Sequence, residues 1–204
     1  MKHIFLTSVC ALIICVNAAN AETNLVEADS EVFDNAINAF ERKDFQTAVE
    51  LFTALADQGE PNAQHNLSIL YFKGLGSPTN YKLALYWAWR ASLGGSEPAL
   101  ALVDEIRGIV TENLIRNVSG EIVTELTAKA MAGNKNSSER LGKTYYSLFV
   151  KPDLKMAYIW FLISQAFGNE NVSDFISEIE DQIEIKKRIA YQEEATEIFI
   201  KIPK

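Results

Sequence analysis

Residues 84–95 read ALYWAWRASLGG, and the same frame occurs twice more, as AVELFTALADQG at 48–59 and AYIWFLISQAFG at 157–168. Each copy keeps an alanine, a bulky apolar residue, a small or apolar residue and a closing glycine at one spacing. The positions are Ala48, Leu51, Leu55 and Gly59; Ala84, Trp87, Ala91 and Gly95; Ala157, Trp160, Ser164 and Gly168. Gly133 falls between the last two copies, so these glycines recur about every 36 residues. A period in the range of about 20 to 50 residues marks a stacked-repeat architecture. One such unit is too small to bury its own apolar face and must pack on its neighbours.

Outward from these copies, almost every segment reads as helix. Phe33, Ile37 and Phe40 share one face of a helix over 31–42 that Asp29 or Ser30 can cap. Lys43-Asp44 is a turn, and Phe45 to Gln58 returns as a partner helix ended by Gly59. Pro61 suits a first helical turn, where its missing N–H costs nothing. Ala63, Leu67, Leu70 and Tyr71 follow as the apolar stripe of that helix. Gly74 to Pro78 breaks it, and Asn80 restarts a helix ending at Leu93. Ser96 and Pro98 open a third unit carrying Leu100, Val103 and Ile106, and Thr111 caps a longer helix through Leu114, Val118, Ile122 and Leu126. Ser137 to Tyr146 and Leu154 to Phe167 form a fourth pair. Val172 to Ile200 reads as one long or two short helices closing the stack, with the 186–188 and 192–194 polar clusters facing water.

Met1-Lys2-His3, the apolar run Ile4 to Val16 and Ala19-Asn20-Ala21 have the pattern of an export signal over 1–21, cleaved before Glu22 or after Ala18. A run of 13 residues is short of the roughly 20 that span a bilayer as a helix. Both cysteines, Cys10 and Cys15, lie in that segment, so the mature chain is expected to have neither disulfide nor thiolate chemistry. The formal charge of −8 disfavours a nucleic-acid partner, which calls for a basic face.

The pattern of small, bulky and glycine positions resembles the Sel-1-like repeat family, relatives of the tetratricopeptide repeat. Unit two carries it through Ala63, Leu67, Tyr71, Gly74, Gly76, Ala84, Trp87, Ala91 and Gly95. Unit four carries it through Ser137, Leu141, Tyr145, Asp153, Ala157, Trp160, Ser164 and Gly168. Asn80 stands where the family has Asp, unit four lacks the loop glycines, and unit three keeps only Gly133. The resemblance implies an all-α, right-handed solenoid of stacked antiparallel helix pairs with a C-terminal helical cap. After an N-terminal segment at 22–30, the units fall at about 31–59, 61–95, 97–133 and 135–168, with the cap at 169–204. Small residues let the helices of a pair approach, and bulky Trp87 and Trp160 are expected to fill the core.

Chemistry is scarce. His65 is the one histidine after the export signal, and there is no partner for it in a zinc-ligand or nucleophile–base spacing. Gly74-x-Gly76 without a preceding strand is a turn rather than a phosphate cradle. Asn66-Leu67-Ser68 and Asn171-Val172-Ser173 match a glycosylation triplet and decide nothing. No cofactor, metal or catalytic residue is expected. The candidates are surface positions for a protein partner: His65, Asn66, Ile69, Phe72 and Lys73 from unit two, and Arg140, Lys143, Thr144 and Ser147 from unit four. Trp89 and Arg90 are expected to stand exposed as an aromatic–basic hot spot. The expected function is a non-catalytic scaffold or regulator in the periplasm, or secreted. The alternatives are a cell-wall enzyme of penicillin-binding or β-lactamase type and a structural accessory of an envelope machine such as a flagellar or secretion complex.

Overall fold

The computed structural model describes residues 31–203. The expected export signal, its cleavage points and the Asp29 or Ser30 cap lie outside them. All regular structure in the described residues is helical: α1 (31–41), α2 (Phe45–Asp57), α3 (Pro61–Lys73), α4 (Tyr81–Leu93), α5 (Glu97–Ile109), α6 (Glu112–Met131), α7 (Lys135–Lys143), α8 (Leu154–Ala166), α9 (Ser173–Glu180) and α10 (Ile185–Phe199). A π-helical turn, Thr144–Leu148, continues α7, and a 3-10 turn, Glu170–Val172, precedes α9. The C-terminal stretch is therefore two helices. The chain is an all-α solenoid.

One corner is used four times. Gly59, Gly95, Gly133 and Gly168 have φ of 95°, 96°, 93° and 91°, a region that residues with a Cβ avoid. Each glycine N–H bonds to the carbonyl three residues back, at 2.8 to 3.0 Å. The next N–H reaches five back, from Glu60 to Leu55, Ser96 to Ala91, Asn134 to Lys129 and Asn169 to Ser164, at 3.0 to 3.2 Å. This pairing satisfies the last carbonyls of the ending helix in a Schellman closure. The residue after each glycine is also the N-cap of the next helical segment: Glu60, Ser96, Asn134 and Asn169. Only three residues separate each ending helix from its successor.

The opposite ends of units two and four also match. Asn80 N–H donates to the Tyr71 carbonyl (2.9 Å), and Asp153 N–H to the Tyr145 carbonyl (3.0 Å). Asn80 then accepts from Leu83 N–H (3.1 Å) and Asp153 from Met156 N–H (3.0 Å). Asn and Asp cap helices about equally well, which explains why Asn80 can stand in the place of an Asp.

Unit three departs from the pattern. The backbones of α5 and α6 scarcely approach each other, whereas α5 packs on α4, and α6 packs on α7 and reaches α4. The link is only Val110 and Thr111, both extended (ψ 165° and 151°), which steers α6 away from its expected partner. At 20 residues, α6 is about 30 Å long, enough to cross the stack. Its buried stripe is Ile115, Val118, Ser119, Ile122, Leu126 and Ala130.

The largest apolar cluster joins α4 to α8 with Ala195 and Ile202; a second joins α1, α2 and α3, and a third seats α9 on α8. Two expected core residues are not in it. Leu100 is 48% exposed because α5 buries Ala99, Leu102, Val103 and Ile106, a stripe that leaves Leu100 outside. Phe40 is 37% exposed and meets the Phe45 ring edge to face, while Ala36 and Ala39 take the inner face of α1. The α7–α8 contact depends on Gly142: a Cβ there would lie 2.4 Å from the buried Phe161 ring. In unit two the corresponding positions hold Ser68 and Ala88, so the larger residue of one helix is matched by the smaller one of its partner.

The cap is tied by polar bonds. Tyr158 donates to Glu180 Oε1 (2.6 Å) and accepts from Gln192 Nε2 (3.0 Å), while Arg188 pairs with Glu180 at 3.2 Å. Burial and the Glu180 bond push the Tyr158 hydroxyl up to about 12. α10 lies along α8 rather than α9, and Ile202 is buried beyond its end. Lys186 and Lys187 are exposed; Arg188, by contrast, is drawn in by Glu180.

Three glycine-to-alanine variants separate these effects in urea unfolding. Gly95→Ala has open space at its Cβ but a φ of 96°, and is expected to lose about 1–2 kcal/mol. Gly142→Ala gains up to about 1 kcal/mol of helix propensity yet is expected to be less stable overall, since overpacking costs about 1–3 kcal/mol. Gly120→Ala, in the interior of α6 with nothing near its Cβ, is expected to gain about 0.5–1 kcal/mol.

Candidate functional site

Because α6 crosses to α4 and α7, side chains from three helices converge at the corner end of the stack. Arg90 on α4 binds Glu125 on α6, with Nη1 donating to both carboxylate oxygens and also to the Tyr86 hydroxyl (3.0 Å). Tyr86 in turn donates to Glu125 Oε2 (2.8 Å), and Lys129 donates to Oε1 (2.5 Å). Arg90 lies within 5.4 Å of the Tyr86 and Trp87 ring centroids, so its cation also rests on aromatic faces. Arg140, from α7, lines the same notch with Arg90, Glu125 and Lys129, and Gln64 and the Gly59 and Gly94 backbone form another wall.

The electrostatics follow from this sharing. Burial works to raise the Glu125 carboxyl, but bonds from Arg90, Lys129 and Tyr86 and the charge of Arg90 hold it down to about 2. Arg140 is pushed down, first by burial and then by the like charge of Arg90, against weaker attraction from Glu139 and Glu125. Glu139 is occupied elsewhere, by Lys143 (2.6 Å) and Asn169 (2.7 Å).

The expected binding residues fall into different places. Trp89 is not an exposed hot spot: it is 3% exposed, within the main core, with its Nε1–H donating to Thr144 Oγ1 at 3.2 Å. Thr144 is likewise buried, at the start of the π-helical turn, and its hydroxyl donates to the Arg140 carbonyl (2.7 Å). Trp87 is only half-buried, lying edge-on to Tyr86, whereas Trp160 is in the core as expected. His65, Asn66, Ile69 and Phe72 are half-buried on α3, and Phe72 contacts the Tyr81 ring. Burial lowers the pKa of His65. Lys73 and Ser147 are exposed and Lys143 is half-buried. Of the whole set, Arg90 and Arg140 are brought together at the notch; the His65 to Lys73 group is not part of it. Glu125, Lys129, Tyr86 and Gln64 are its unforeseen members. The i,i+4 pairs Tyr86–Arg90 and Glu125–Lys129 were readable in the sequence, but not their union across 35 residues.

The Sel1 repeat family model matches residues 39–60, 61–96 and 137–164. The chain carries three Sel1 repeats. The unmatched stretch between the second and third matches includes the unit whose two helices fail to pair. A solved structure, a protective antigen present in uropathogenic Escherichia coli strains and displaying an SLR fold, aligns at 18% identity with a TM-score of 0.35. The alignment covers 76% of this chain and 41% of that one, so this Sel1 chain spans less than half of that protein's length. No curated protein matches it. Sel1 repeats are protein-interaction helical modules. Among the described residues no helix is long and apolar enough to cross a membrane.

Glu125 is bound more tightly in the folded chain than in the unfolded one, so its contribution is present above the ordinary glutamate pKa and fades as pH falls from about 4.3 toward 2. Glu125→Gln is expected to cost about 1 kcal/mol at pH 7, discounted for its partial exposure, and to flatten the loss of stability between pH 5 and 2.5 in urea titrations. Trp89→Ala is expected to cost about 3–5 kcal/mol, and Trp87→Ala clearly less, measured by the same titrations.

Proposed function

We propose that this Sel1-repeat chain is an exported, non-catalytic docking module that works as a scaffold or regulator in a bacterial-type cell envelope. The repeat stack carries this reading: four equivalent corners hold its helices in register and leave the outer faces of α3, α4, α6 and α7 to a partner polypeptide. The export pattern at 1–21 and the confinement of both cysteines to it support a compartment outside the cytoplasm. Recognition by such a stack rests on a few anchor residues in a shaped surface, with the rest of the contact giving complementarity.

The test expresses the full chain, with its own N-terminus, in a Gram-negative host. The expected product is periplasmic and begins at Glu22. Photo-cross-linking residues placed at Lys73 and Lys143 should trap one discrete envelope protein, and one placed at exposed Asp104 on α5 should not. A cytoplasmic product retaining residues 1–21 removes the export part of the reading. Equal and diffuse labelling from all three positions removes the docking part.

A further inference from the structure

The notch between α4, α6 and α7 holds more positive charge than it has carboxylate to answer. Three cations, Arg90, Lys129 and Arg140, surround Glu125. A carboxylate offers about four acceptor positions. Glu125 uses four: Oε1 accepts from Arg90 and Lys129, and Oε2 from Arg90 and Tyr86. It has nothing left for Arg140. The other nearby carboxylate, Glu139, is held by Lys143 and Asn169. Among the described residues the Arg140 guanidinium makes no hydrogen bond and no ion pair. Arg90 sends all its bonds through Nη1, so its Nη2 is uncommitted.

A half-buried guanidinium beside another cation is costly unless it meets an anion. In an acidic chain of net charge −8, this local excess of positive charge runs against the surroundings. We propose that the Arg90–Lys129–Arg140 notch receives a single aspartate or glutamate side chain of the partner polypeptide, bound between Arg140 and Arg90 Nη2. The inference rests on the docking reading above and adds the chemistry of the anchor.

A carboxylate fits better than a phosphate group for two reasons. Glu125 sits inside the notch and repels a dianion about twice as strongly as a monoanion by Coulomb's law. The surrounding chain is negative, which further penalises the more highly charged ligand. The planar guanidinium of Arg140 matches a carboxylate through two parallel bonds. Gln64, whose Nε2 is committed to the Ala56 carbonyl at 2.9 Å, keeps the wall of the notch fixed.

The experiment titrates the full-length mature chain at constant ionic strength and follows arginine side-chain NH resonances by NMR. The probes are N-acetyl-glutamate N-methylamide, its glutamine counterpart, and inorganic phosphate. The glutamate probe should move Arg140 in a saturable way at millimolar concentration, while exposed Arg116 stays still. The glutamine probe should produce no saturable change. Arg140→Gln, with its backbone spectrum otherwise retained, should raise the midpoint read at Arg90 by at least fivefold; Lys187→Gln, on the exposed face of α10, should leave it within twofold. Tighter saturation by phosphate, equal response to glutamine, or an unchanged midpoint in Arg140→Gln would each overturn the proposal. If cross-linking traps a partner but the glutamate probe does not bind, the anchor fails and the docking reading stands. If the probe binds and no partner is trapped, the docking reading fails, and the partner's side chain is no longer the occupant.

Discussion

The fold depends on a backbone closure that only glycine makes cheaply. At each corner the ending helix surrenders its last carbonyls to two N–H groups, and this requires a φ near 90° at one residue. The residue that supplies the second N–H is at once the cap of the next helix. Exit and re-entry are thus set by the same few bonds. With the closure repeated at Gly59, Gly95, Gly133 and Gly168, successive units leave the corner along equivalent paths. The stack is the consequence. Small side chains at Ala84, Ala91, Ala157 and Ser164, all buried, then bring neighbouring helices close enough for large residues to fill the space between them.

Unit three shows how much freedom remains at the other end of a pair. Units two and four turn through loops that return the chain alongside itself, each anchored by a carbonyl of Tyr71 or Tyr145. Unit three has two extended residues instead, and α6 leaves in a different direction. Its length lets it bridge α4 and α7, which would otherwise be separated by a complete unit. Arg107 adds a further link from α5 to the π-helical turn, donating to the carbonyls of Ser147 (2.9 Å) and Phe149 (3.4 Å). The charged notch lies where α6 meets α4 and α7.

The polar contacts of the stack are of two kinds. Exposed pairs such as Arg116–Glu112 add little, since solvent screens them and long side chains lose freedom in forming them. The Glu125 network differs, because partial burial and multiple donors hold its geometry. Such a network is a poor source of net stability, as desolvation offsets most of the attraction. Its contribution is a rigid frame of donors around the notch, with Arg90 braced on two aromatic rings. That is a property suited to recognition.

Much of this was legible in the chain. The corner glycines, the helix starts at Asn80 and Thr111, and the limits of most helices follow from local backbone chemistry, which nearby residues dictate. The tryptophans were not legible in the same way. In α4 apolar residues stand nearly all round the helix, from Leu83 to Leu93, so no stripe announces which side is inward. Repeat spacing favours Trp87 as core; the arrival of α7, with Thr144 positioned to receive the indole N–H, makes it Trp89. The charged notch was hidden for a similar reason, since its members come from three helices and its central pair, Arg90 and Glu125, is 35 residues apart. Local sequence decided where each helix begins, ends and turns, because those bonds span a few residues. Which faces meet, and therefore which side chains are buried and which charges converge, was decided only when α6 crossed the stack, because that packing depends on every helix at once.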